Sequence, residues 1–400
     1  MSKKWRTLLL LAVAELLAMV VWFSASAVTP QLTALWQLDD SGQAWLTMSV
    51  QIGFVFGALG SSLLTLADRF PARWFFIIAT FAAAGTTALI PLLAVESFML
   101  ALMLRFATGV FLAGVYPVGM KIMATWTKED RGLGIGLIVG ALTIGSAMPH
   151  LINTIGDMGA WQWVLYAAAG LAALGGVIAY FFVHEGPYTS KAVKFSIGDV
   201  KYVIRNRRVM LANLGYLGHM WELYAMWAWL FAFLTASFAA SGVGGQWAGI
   251  VTFVAIAVGG IGSVVAGKVA DNVGRAEVCT TSMIVSGACA VIIGQFFGAH
   301  PLLVGGLAIV WGLFIVADSA QFSASVSELC DRRYLGTALT LQTSMGFLLT
   351  LFTIRMIPTL QAMVGWEWAF TFLALGPLTG IWAMQTLKRE IEHGQEVAVA

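Results

Sequence analysis

Twelve stretches of this chain are apolar over a length that suits a bilayer crossing. They run roughly over 7–30, 44–66, 74–93, 97–120, 133–155, 161–183, 209–236, 245–266, 276–297, 301–325, 335–358 and 366–386. A helical crossing needs about 20 such residues, and a helix satisfies its own backbone hydrogen bonds where no water is present. Only 10% of the 400 residues are charged, against about 25% in a soluble domain, so lipid must cover most of the surface. Glycine supplies 43 residues, which suits close helix–helix approach in lipid. Lys3, Lys4 and Arg6 precede the first stretch and Ser24-Ala25-Ser26-Ala27 ends it. It is longer than the apolar part of a signal peptide and is expected to remain as a first helix. Cys279, Cys289 and Cys330 show neither disulfide nor metal spacing, and no metal or cofactor is expected.

The basic residues set the expected topology. Lys3, Lys4, Arg6, Arg69, Arg73, Lys121, Lys128, Arg131, Lys191, Lys194, Lys201, Arg205, Arg207, Arg208, Lys268, Arg275, Arg332, Arg333, Lys388 and Arg389 fall at every second connection or at a terminus. The other connections carry Asp39, Asp40, Glu96, Asp157 and Glu367 but no Lys or Arg. Twelve spans with both termini cytoplasmic account for this pattern. Of the 22 basic residues, Arg105 and Arg355 alone fall inside stretches.

The chain also repeats itself. Glu15-Leu16-Leu17-Ala18-Met19-Val20-Val21-Trp22 returns as Glu222-Leu223-Tyr224-Ala225-Met226-Trp227-Ala228-Trp229, 207 positions later. Trp161-Gln162-Trp163 returns as Trp366-Glu367-Trp368 at an offset of 205, Asp130-Arg131 as Asp331-Arg332 at 201, and Asp68 as Asp271 at 203. A near-constant offset indicates duplication. The expected fold is an all-α membrane protein of two pseudo-symmetric six-helix bundles, 1–183 and 209–400 with a short cytoplasmic tail, joined by a polar, basic linker over 184–208. Such repeats are a transporter architecture, with the site near the midplane at the repeat interface. The linker is expected to be solvated or to lie on the anionic inner leaflet.

Four short motifs resemble those of the major facilitator superfamily. Gly267-Lys268-Val269-Ala270-Asp271-Asn272-Val273-Gly274-Arg275 is similar to the family's loop motif Gly-x-x-x-Asp-Arg/Lys-x-Gly-Arg, with Asn272 departing. The first-half copy keeps Asp68-Arg69 but has Leu64 and Pro71 in place of glycines and Arg73 displaced by one. Arg105 and Gly109 match the fourth-helix motif Arg-x-x-x-Gly, and Gly136 to Pro149 looks like a loose form of the fifth-helix Gly/Pro motif of antiporters. The resemblance implies that stretches 1, 4, 7 and 10 line the central path. Asp68, Arg69, Gly267, Asp271, Gly274 and Arg275 are then expected to form conformational latches, each Asp accepting from a helix N-terminus or pairing with Arg.

Ionisable groups at membrane depth cost about 2.5–3.5 kcal/mol each on insertion scales, so each needs a reason. Helical spacing sorts the candidates into polar stripes: Thr143, Ser146, His150 and Asn153; Asn213, Tyr216, His219 and Glu222; Asp318, Gln321, Ser325 and Glu328. Loss of water disfavours the charged form of a carboxyl, so a membrane-depth acid can exchange a proton near neutral pH. Glu222 is the foremost proton-coupling candidate, with His219 one turn away, followed by Glu15 and Asp318. Glu15 could instead brace a gate. Substrate contacts are expected from Arg105, His150 and Arg355, which favour an anion, and from Trp22, Tyr116, Tyr216 and Tyr224 as an aromatic wall. For Arg105 the resemblance implies first a role in proton coupling or in charge balance with a carboxylate, and for Arg355, near the outer surface, snorkelling is the leading explanation. Trp161, Trp163, Trp366 and Trp368 read as interface belt residues.

The expected function is proton-coupled secondary transport of a small organic or inorganic anion by alternating access. The alternative is proton-driven efflux of hydrophobic drugs or metabolites. A membrane enzyme or receptor is disfavoured by the duplication and by the lack of a nucleophile or metal cluster, and ATP-driven transport by the lack of a nucleotide motif. Nucleic acid is not implied. The expected setting is a bacterial inner membrane, as a multi-pass monomer with a small-molecule substrate, protons and lipid as partners.

Overall fold

The computed structural model describes residues 2–127, 131–156, 160–188, 196–244 and 247–399, with the side chains of 67, 68, 131 and 394–399 left aside. The expectations placed on Lys128, Asp130, Asp157, Lys191 and Lys194, and on the side chains of Asp68 and Arg131, lie outside the described residues. The chain folds into α1 Lys3–Met19, α2 Thr29–Trp36, α3 Asp40–Leu63, α4 Leu66–Arg69, α5 Ala72–Leu93, α6 Phe98–Leu112, α7 Tyr116–Ala124, α8 Arg131–Ile155 and α9 Trp161–Phe182. After the linker come α10 Val200–Arg205, α11 Arg207–Ala240, α12 Ala248–Val273, α13 Arg275–Ile292, α14 Pro301–Ala317, α15 Ser319–Leu329, α16 Leu335–Val364, α17 Trp366–Ala369 and α18 Leu375–Val399. Among the described residues, eleven helical spans are long and apolar enough to cross a membrane. Phe56, Ile78, Met103 and Ile261 point outward and are exposed, which is the reverse of a water-soluble surface.

The first apolar stretch departs from expectation. It is not one helix: α1 stops at Met19, residues 20–25 form turns, and Ser26–Val28 is a short 3₁₀ segment before α2. Its repeat partner α11 runs unbroken for 34 residues. Two other spans are interrupted at matching places. One breaks at residues 113–115 between α6 and α7, the other at Asp318 between α14 and α15. Polar caps start several helices: Asp39 Oδ1 accepts from Gly42 N–H at 2.7 Å, and Asn206 Oδ1 from Val209 N–H at 3.3 Å.

Within the earlier half α1 packs on α8 and α9, α3 on α6, and α5 on α6 and α9. Within the later half α11 packs on α16 and α18, α12 on α14, and α13 on α14 and α18. Across the halves the main seams are α8 against α12 and α3 against α16. Small residues permit these approaches. A Cβ on Gly140 would lie 3.3 Å from the Gly260 carbonyl oxygen, and one on Gly109 would collide with the Val50 carbonyl on α3. Gly274 has φ 93 and ψ 150 where α12 turns into α13, a conformation that disfavours a side chain. The paired tryptophans divide alike in both halves. Trp163 and Trp368 are exposed, while Trp161 packs on Trp36 and Trp366 on Phe370.

Candidate functional site

A cavity of about 410 Å³ lies between the halves, within the size range of small-ligand pockets. Its walls come from α7, α8, α11, α15 and α16, and Tyr116, Tyr216 and Tyr224 face into it with Thr143, Ser319 and Thr343. The three phenol groups lie within electrostatic range of one another. Met120, Val139, Met220 and Trp227 supply apolar surface. One end reaches Gly132, Gly267, Arg275 and Glu328, at the ends of helices that carry the basic connections. Glu328 is 59% exposed there. The other end is closed by packed rings. Trp22 and Phe54 from the earlier half meet Phe347 at 5.7 and 4.7 Å between centroids, and Phe23 meets Tyr224 and Trp227 at 6.1 and 5.8 Å. All six rings are buried.

Three expected substrate contacts are placed elsewhere. Arg105, 1% exposed, gives its donors to backbone and hydroxyl oxygens: Nε to Leu46 O at 3.2 Å, Nη1 to Val21 O at 2.8 Å and Ser24 Oγ at 3.4 Å, Nη2 to Trp22 O at 2.5 Å. It thus holds the broken segment after α1, whose carbonyls lack helical partners, and neither lines the cavity nor meets a carboxylate. His150 is buried against Phe231 with both ring nitrogens unpaired. Arg355 reaches along its own helix to Thr359 Oγ1 at 3.5 Å. Trp22 belongs to the aromatic closure. Tyr116, Tyr216 and Tyr224 are the expected contacts that the cavity brings together.

The acids are also redistributed. Glu222 does not face the cavity. Its Oε1 accepts from Trp311 Nε1 at 2.6 Å and its Oε2 from Ser286 Oγ at 2.8 Å, so α13 and α14 hold it inside the later half. His219 does not share a proton with Glu222, one turn away. Its Nδ1 lies 2.8 Å from Asp318 Oδ1, and its Nε2 lies 2.8 Å from Ser319 Oγ. Ser319 lines the cavity, so a continuous polar path runs from the cavity to Ser319, His219 and Asp318. Glu15 is wholly buried, with no hydrogen-bond partner on either carboxyl oxygen.

The latch has an unexpected partner. Arg275 does not pair with Asp271. It donates from Nε and Nη2 to Glu328 Oε1 at 2.8 and 2.7 Å and from Nη1 to Gln321 Oε1 at 2.8 Å, tying α13 to α15 at the cavity mouth. Asp271 Oδ2 lies 3.9 Å from the position a Cβ on Gly132 would take, beside the start of α8, and Gly267 sits close to the Gly132 carbonyl. Arg69 is exposed at the end of α4. Ser319, Ser286 and Trp311 were missed from sequence. Ser319 adjoins Asp318 and could have been flagged by that adjacency, whereas only packing brings Ser286 and Trp311 to Glu222.

The Major Facilitator Superfamily family model matches residues 11–352. The chain belongs to this superfamily. The proteins it resembles are transporters, so it is a multi-pass membrane transporter and not an enzyme. Over 168 residues it is 26% identical to the D-galactonate transporter of Escherichia coli O6:H1, covering 38% of this chain. That match spans 36% of the relative's length. Among solved structures, the nucleoside transporter NupG superposes with a TM-score of 0.70 at 16% identity, covering 97% of this chain and 99% of that one. A bacterial homologue of the human lysosomal transporter Spinster, inward-facing and occupied, superposes with a TM-score of 0.72 at 15% identity, covering 96% of each. These two share the superfamily fold with the present chain.

Proposed function

We propose that this superfamily member is a proton-coupled secondary transporter of a small polyhydroxylated organic solute, working as a monomer by alternating access. The observation that carries the proposal is the path Ser319–His219–Asp318, which links a buried acid–base pair to the cavity wall. Partners in a buried hydrogen-bond network polarise one another, so a solute or a proton arriving at Ser319 shifts the balance of the pair. The bundles 1–183 and 209–400 rock about the α8–α12 and α3–α16 seams, with 184–208 as the cytoplasmic linker. By the positive-inside rule the Arg275–Glu328 mouth is cytoplasmic and the aromatic closure faces outward.

The lining favours hydroxyl recognition over charge. Arg275 is its one cation among the described residues, and Glu328 neutralises it. Phenol, serine and threonine hydroxyls both donate and accept, which matches sugar-like hydroxyls, and the rings offer faces for an apolar edge. A sugar acid is the second reading, favoured by the similarity to the D-galactonate transporter.

Proteoliposomes under an imposed pH gradient test the proposal, with nucleosides, sugar acids and hydrophobic cations as solutes. Accumulation of a polyhydroxylated solute is expected, and Asp318→Asn should abolish accumulation while leaving solute exchange. If none of the solutes responds to the gradient, proton coupling is wrong.

A further inference from the structure

We propose that Glu15 is a second proton-carrying carboxyl, housed in the earlier half and opened to the cavity through Tyr116. It goes beyond the His219–Asp318 site, because it uses a different half of the molecule and different residues.

The Glu15 carboxyl is fully enclosed and unpaired. Its Oε2 occupies the space that a side chain on Gly119 would fill, and Phe76 from α5 closes the same pocket. An ionised carboxylate there would have no hydrogen-bond donor among the described residues, and burying a bare charge costs far more than burying the acid. A proton therefore accompanies it. Among the described residues, Tyr116 on α7 is a titratable group within electrostatic reach of Glu15. The helices α8 and α9 approach this part of α1 through Gly145 and Gly175, which bring backbone and no charge.

The route out follows from where Tyr116 stands. It is the first residue of α7, directly after the break at residues 113–115, and it lines the cavity. Ser319 is the first residue of α15, directly after the break at Asp318, and it too lines the cavity. Each half thus sets one cavity-lining hydroxyl at a helix break, with a buried acid behind it. When the α6–α7 break flexes and Tyr116 moves aside, the Glu15 O–H bond breaks, its proton passes to cavity water, and that water solvates the carboxylate left behind.

Infrared spectroscopy of the full-length protein in lipid nanodiscs tests this without a transported solute. Wild type at neutral pH should show a buried carboxylic-acid carbonyl band that Glu15→Gln removes. That band should shift on transfer to D₂O, and several-fold faster in Tyr116→Ala. An unchanged spectrum in Glu15→Gln would show an ionised Glu15 and overturn the proposal, as would a wild-type band that never exchanges. Equal exchange rates in wild type and Tyr116→Ala would overturn the Tyr116 route. All these readouts are independent of Asp318, so failure here leaves the proposed function standing, and failure of that function leaves these outcomes readable.

Discussion

His219 Nδ1 lies 2.8 Å from Asp318 Oδ1 with both side chains 2% exposed, and Ser319 Oγ sits 2.8 Å from the other ring nitrogen. Ser319 is therefore the contact through which the cavity reaches the pair. Ser319→Ala removes one hydrogen bond worth about 1 kcal/mol. It should slow gradient-driven uptake about fivefold, while His219→Ala abolishes it. Initial rates in proteoliposomes, with equal reconstitution checked by gel, separate the two effects.

Glu222, first among the sequence candidates, is held by Trp311 and Ser286 and does not line the cavity. Glu222→Gln keeps an acceptor for Trp311 or Ser286 and should retain accumulation. Trp311→Phe leaves a buried carboxyl short of a donor and should cost about 1–3 kcal/mol. Thermal unfolding in detergent should show a lower midpoint for Trp311→Phe, with transport by Glu222→Gln preserved.

Arg105 binds the Val21 and Trp22 carbonyls after the broken end of α1 and the Leu46 carbonyl on α3. Arg105→Met withdraws its donors from these buried acceptors, with Val21 O keeping only Ser24 Oγ, so a loss of about 3 kcal/mol is expected. Arg105→Lys should rescue little, because one ammonium cannot reproduce the planar fork. Purified yield and unfolding temperature measure both.

The Arg275–Glu328 pair is partly exposed, at 27% and 59%, so its net worth is about 1 kcal/mol or less. Glu328→Gln should leave stability nearly unchanged yet raise access to the mouth up to about fivefold, because a small bias moves a two-state equilibrium. Ser323 on α15 lines the cavity, so the rate at which a thiol reagent labels Ser323→Cys reports this. The swap Arg275→Glu with Glu328→Arg should restore the slow rate.

Packed rings close the end of the cavity opposite the Arg275–Glu328 mouth, with Phe54 and Phe347 centroids 4.7 Å apart across the halves. Phe347→Ala removes one side of that contact. It should let a membrane-impermeant thiol reagent reach Thr343→Cys from outside, which the intact closure prevents.

Much of the fold was legible locally. A helix that crosses lipid must be apolar along its length and must bond its own backbone, so length and composition mark each span without reference to any other. The Glu15 and Glu222 phrases mark the duplication. The α1 break was not legible, because residues 20–25 are nearly as apolar as their neighbours and the buried carbonyls freed there are met by Arg105, far along the chain, together with Ser24 Oγ.

The sequence by itself determined that this is a duplicated helical membrane protein with buried acids, and which residue types were available to its site. The tertiary structure decided which acid meets the cavity. His219 and Glu222 are three residues apart on one helix, yet His219 turns to α15 and the cavity wall while Glu222 turns to α13 and α14. Side-chain periodicity sets the angle between two groups on a helix. What each group meets depends on how the neighbouring helices pack around it, and that is a long-range property of the whole bundle.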